Sequence, residues 1–228
     1  MKKLIVVLGL AALVAVPAMA DLSVSDFGYG MWPSSGGRGG EFQVTVDAPA
    51  YDTISGQNYT LPSAFRTFCV ETTEYLDVPG GPYDIQLSGA GLYNGTGNPN
   101  YSNPLSGQSA YLFSQYWTGN IVIGSDAQGA AFQNVLWFIE GQITGIYDGF
   151  LNNQTVKDQI DAYYALVADI DDDAPIGNVR VINMWYDGHL GDVGYTRQDL
   201  LVCIPAPGAA LLGVIGIGLV GWVKRRLA

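Results

Sequence analysis

In SDAQGAAFQNVLWFIEG, residues 125–141, the sequence pattern changes. Upstream of it the apolar residues alternate loosely, as strands do; here they change to a helical period. Ser125 or Asp126 is a natural N-cap, Phe132, Val135, Leu136 and Ile139 share one face, and Gly141 supplies a stop. The preceding SGQSAYLFSQYWTG sets Tyr111, Leu112, Gln115 and Tyr116 at helical spacing. The following NNQTVKDQIDAYYALVADI is a third amphipathic segment, capped by Asn152 or Asn153. On either side of this helical block the pattern reads as strand. FQVTVDA, the run around Cys69 from Ala64 to Leu76, and YDIQLSGAGLY precede it; NVRVINMWYDG and RQDLLVCI follow it. PSSGGRGGE and GTGNPNYSNP are loops. Strands, about three helices, then strands again predict one α+β domain, a β-sandwich or barrel with a helical insertion.

Both ends carry signals. MKKLIVVLGLAALVAVPAMA, residues 1–20, has a basic start at Lys2 and Lys3, an apolar stretch and an Ala18-Met19-Ala20 cleavage site, which is the pattern of a secretory signal peptide. Residues 203–228 contain an apolar run from Ala209 to Val223, followed at once by Lys224, Arg225 and Arg226. About 20 residues span a bilayer core, so this run with its flanks is expected to form a transmembrane helix. The basic cluster then places the C-terminus in the cytoplasm and the preceding domain outside. The order Pro205-Ala206-Pro207, Gly-rich apolar helix, Arg225-Arg226 resembles the PEP-CTERM sorting signal of Gram-negative bacteria, with Ala206 in place of the central acid. That resemblance implies an inner-membrane exosortase that processes the tail after export, with the domain passing to the cell surface or the extracellular matrix.

Residues 21–202 are enough for one substantial core. All 21 acidic residues lie there with five basic ones, Arg38, Arg66, Lys157, Arg180 and Arg197, which leaves a net charge of −16. A surface of that sign disfavours nucleic acid and anionic lipid as partners. It suits an exported domain and attracts cations.

Conventional catalysis has little material. The single histidine, His189 in YDGHLGD, has Asp187 and Asp192 beside it, which keeps a secreted hydrolase among the readings, but no nucleophile elbow accompanies it. One histidine and two distant cysteines do not make a zinc site. The acidic run Asp169, Asp171, Asp172 and Asp173 is placed at the end of the third helix, where it opposes the helix dipole; it is a calcium candidate without the spacing of an EF-hand, and a solvated turn is its plain alternative. Three roles stand open for Cys69 in RTFCVETTEY: a buried packing residue, a disulfide with Cys203, or a reactive sulfur.

Phe68-Cys69-Val70-Glu71 in a strand, followed by Ala131-Phe132-Gln133-Asn134-Val135-Leu136-Trp137 in a helix, resembles the Cys-Gln thioester domain of bacterial surface adhesins. There an aromatic-Cys strand faces a helix bearing Thr-Gln-x-Ala-Ile-Trp; here Phe132 stands for the Thr and Val135 for the Ala. The resemblance implies a thioester between Cys69 and Gln133, Trp137 packed beneath the helix, and covalent capture of an amine-bearing surface or matrix partner. No enzyme activity and no cofactor are expected from it. The alternative is a structural envelope or exopolysaccharide-associated protein in which Cys69 only packs.

Overall fold

The computed structural model describes residues 20–29, 39–92 and 102–205. The leader, apart from Ala20, and the tail beyond Pro205 lie outside these residues. So do Ala206, Pro207, Arg225, Arg226 and the expected transmembrane helix. Among the described residues no helix is long and apolar enough to cross a membrane.

The chain is α+β. Its elements are β1 (Ala20–Phe27), β2 (Phe42–Val46), β3 (Ala50–Asp52), β4 (Gln57–Tyr59), β5 (Ala64–Thr67), β6 (Gly80–Ser88), β7 (Ala90–Gly91) and β8 (Asn103–Pro104). They continue with α1 (Gly107–Trp117), α2 (Asp126–Ile139), α3 (Gln154–Ala165), β9 (Val179–Tyr186) and β10 (Thr196–Cys203). Eight strands form one sheet whose main path runs β10-β9-β6-β1-β2-β5. The β3–β4 hairpin attaches through a parallel pair of Asp52 with Leu87. Ala20, the expected last residue of the leader, is buried in β1 opposite Ile85.

The sheet curls until its two edges meet. Just beyond β5, Cys69 pairs with Leu200 of β10. The N–H of Leu201 donates to the Phe68 carbonyl at 3.1 Å, and that of Val70 to the Asp199 carbonyl at 3.0 Å. Thr67 adds a hydroxyl bond to the Leu201 carbonyl. The strand expected around Cys69 is therefore shorter than its sequence suggests: β5 ends at Thr67, and the next three residues change partner from β2 to β10.

Side chains alternate across a strand, so a strand covered on both faces supplies two cores and reads as one continuous apolar run. Strand β9 does this: Ile182 and Met184 join Leu22, Val44 and Leu87 inside the curl, whereas Val179 and Val181 face the helices. The crossover at Cys69 obeys the same rule, with Cys69 inward and Phe68 and Val70 outward.

Each helix begins on a side-chain cap: Ser106, Ser125 and Asn153 accept from the backbone N–H three residues on. Helix α2 is buried continuously from Gly129 to Trp137, because it lies between the sheet and the other helices. Phe132 is fully buried, 4.6 Å from the Phe68 ring and 5.5 Å from those of Tyr116 and Tyr163. A threonine at 132 could not fill that space. Helix α3 is shorter than its sequence pattern, ending at Ala165. The acidic run therefore lies in turns beyond the helix and not on its last turn.

Candidate functional site

Cys69 and Gln133 meet. They are 64 positions apart in the chain, and both are completely buried. The crossover after β5 sends the Cys69 side chain inward. Helix α2 presents Gln133 and Trp137, one turn apart, to the same end of the inner core. The Gln133 Oε1 lies 3.1 Å from Cys69 Sγ and accepts the Cys69 backbone N–H at 3.0 Å. The other half of the carboxamide, Nε2, donates to the Cys69 carbonyl at 2.7 Å. The side chain thus closes a two-bond ring on the backbone of the residue whose sulfur it touches.

Trp137 fixes the helix against the same segment, its indole N–H donating to the Glu71 carbonyl at 3.0 Å. Gly39 seals the other side: a Cβ there would fall 2.1 Å from the Trp137 ring and 2.9 Å from Gln133 Cγ, so only glycine allows this approach. Burial pushes the Cys69 thiol well above its ordinary range; a backbone hydrogen bond from Gly40 opposes that in part. The free thiol is therefore protonated at neutral pH and unreactive toward reagents in solution.

The remaining sequence candidates separate clearly. Cys69 and Cys203 are both free, and Cys203 packs against the helical core while Cys69 lies in the inner one, so the disulfide reading is corrected. Asp169, Asp171, Asp172 and Asp173 are exposed, and their carboxylates do not converge. Instead the Asp172 carbonyl accepts the Gly107 N–H at 2.7 Å, seating the turn on the start of α1. His189 bonds Asp192 at 3.1 Å and stacks on Tyr195 at 3.7 Å in a partly exposed turn, with no serine hydroxyl among its partners. Pro205 is exposed at the end of the described chain.

Sequence reasoning missed two buried polar groups. Glu41 accepts Arg66 at 2.6 Å and the Tyr116 hydroxyl at 2.6 Å, tying β2, β5 and α1 together. Glu71, Glu74 and Asp199 bring carboxylate oxygens within 4.8 Å of one another. Their partners come from distant parts of the chain, and no local pattern marks them.

No family model matches this chain, and neither a curated protein nor a solved structure is detectably similar to it.

Proposed function

We propose that this is an exported cell-surface or matrix protein, sorted through a PEP-CTERM-type tail, that attaches covalently to an amine-bearing partner through a Cys69–Gln133 thioester. The observation that carries the proposal is the contact of Cys69 Sγ with the Gln133 carboxamide at 3.1 Å, inside a site that binds both halves of that amide. In the condensation, Sγ attacks the Gln133 carboxamide carbon. The C–S bond forms, the C–N bond breaks, and ammonia leaves with the thiol proton. The Cys69 N–H, already on Oε1, is placed to hold the oxygen as it gains charge. Fixed contact supplies the effective molarity that two such weak reactants lack in solution, and burial keeps water from the acyl group. Attack by a partner's neutral amine then forms the C–N bond of an amide at residue 133 and breaks the C–S bond, and the proton lost by the amine returns Cys69 to the thiol. The meeting of the sheet edges at the Cys69–Leu200 bridge favours the barrel form of the fold over the sandwich. Cleavage after Ala20 would create an ammonium at Asp21, whose N atom lies 3.0 Å from Asp47 Oδ1.

The competing reading, a structural envelope or matrix protein with Cys69 as packing, is favoured by the complete burial and mutual hydrogen bonding of the same two residues. Intact mass of the purified chain separates them. A thioester lowers the mass by about 17 Da, and methylamine then adds about 31 Da and frees one thiol. Cys69→Ala abolishes both effects. An unshifted mass, with Cys69 and Cys203 both alkylated at once in denaturant, would overturn the covalent reading.

A further inference from the structure

The carboxylates of Glu71, Glu74 and Asp199 gather where the Cys69 segment meets β10, on a part of the molecule that the thioester chemistry does not use. Oxygens bound to one calcium ion at 2.3–2.6 Å lie at most about 5 Å apart. One oxygen from each of the three falls within 4.8 Å of the other two.

A second observation points to a ligand. Asp199 is completely buried, and its Oδ1 has no hydrogen-bond partner. Its other oxygen is fully engaged, accepting the Leu92 N–H at 2.7 Å and Asn183 Nδ2 at 3.0 Å. In Glu74, Oε1 accepts the Thr196 hydroxyl at 2.6 Å, while the carboxyl group also adjoins that of Glu71. Among the described residues neither Glu74 nor Asp199 forms a salt bridge. Arg197, whose charge acts on Glu74 without forming a salt bridge to it, lies over the Tyr186 ring at 3.3 Å. Carboxylates crowded together in a buried place are costly unless a cation or protons neutralise them, and a buried acceptor without a donor costs again. A cation would satisfy both.

We propose that Glu71, Glu74 and Asp199 bind a hard divalent cation, with calcium the ion best matched to them. The donor set is all oxygen, which disfavours zinc and copper. Three carboxylates, two of them buried, suit calcium better than magnesium, which keeps several waters and an octahedral shell. A cleft of about 370 Å³, lined in part by Glu74, Thr196 and Arg197, opens the Glu74 side of the cluster to solvent. The bound ion joins the two sides of the seam, because Asp199 belongs to β10 and Glu71 lies two residues beyond Cys69. It thereby clamps the segment whose backbone holds Gln133.

The test is calorimetric titration of the EDTA-treated full chain with calcium chloride at pH 7.5, alongside its thermal unfolding. One ion per chain and a rise in Tm with calcium are expected. Asp199→Asn and Glu74→Gln should each weaken binding about tenfold or more. Asp187→Asn and Asp171→Asn, which alter other acidic groups, should leave it unchanged. Absence of saturable binding to the wild-type chain overturns the proposal, as does undiminished binding in Glu74→Gln, a partly exposed position that tolerates the change. So does an Asp199→Asn variant that is stabilised without calcium and binds it as before, the behaviour of carboxyls sharing a proton. The mass deficit of the thioester is measured without calcium, so either proposal can fail alone.

Discussion

At the scale of single residues, Cys69 and Gln133 illustrate how a local choice gains chemical meaning from its surroundings. Gln133 is the only buried carboxamide side chain on α2 besides Asn134, whose Nδ2 is spent on the Ile146 carbonyl. Both halves of the Gln133 amide are matched by Cys69, so its burial costs little while the carboxamide is intact; condensation keeps the bond to Oε1 but removes Nε2, the donor to the Cys69 carbonyl. Glu74 is the opposite case. Desolvation, with the Glu71 charge adding to it and the Thr196 hydroxyl opposing, pushes its carboxyl up to about 8, and burial likewise raises Asp199. The folded chain then retains protons that the unfolded chain has already released. With a chelator present, stability is therefore expected to fall as pH rises from about 4.5 to about 8 and to level off beyond, as the sign of the linkage requires. Denaturant titrations across that range check this, and Glu74→Gln should flatten the slope.

At the scale of elements, the caps differ in what they hold. Ser125 caps α2 on an exposed surface, its hydroxyl accepting the Gln128 N–H at 3.3 Å. Ser106 caps α1 from a buried position and also donates to Glu140 Oε1 at 2.8 Å, so it joins the start of α1 to the end of α2. Ser125→Ala should cost about 1 kcal/mol, the usual value of an exposed cap. Ser106→Ala should cost about 2–3 kcal/mol, because a buried carboxylate also loses a donor. Paired urea unfolding curves of the two variants decide whether the helices are coupled in this way. All three helices were legible in the sequence, with Ser125 and Asn153 each one of two cap candidates, since capping and periodicity are local; the cap at Ser106 was not singled out. The end of α3 was not, because the pattern of its apolar residues continues through turns that pack on the start of α1.

At the scale of the whole molecule, a buried ion pair holds the β3–β4 hairpin on the sheet. Arg180 Nε lies 3.2 Å from both oxygens of Asp52, and both side chains are buried. Removing one partner strands the other, so Asp52→Ala should destabilise the chain by about 3–5 kcal/mol. Replacing both, Asp52→Leu with Arg180→Met, should recover much of that loss. Chemical denaturation of the single and double variants measures the difference. Neither the hairpin nor the pair is visible in the sequence: residues 50–59 are too short and too polar for a strand pattern, and the two charges are 128 positions apart.

The α+β class, the three helices and the Cys69 and Gln133 motifs follow from the amino-acid sequence alone, because each rests on neighbours within a turn or two of chain. The tertiary structure alone decided that the sheet curls onto itself, that Cys69 lies at the seam facing Gln133 and away from Cys203, and that Glu71, Glu74 and Asp199 share one buried place. Those outcomes depend on which distant strands pair. Such pairing is set by the filling of two cores at once, and no segment read alone carries that information.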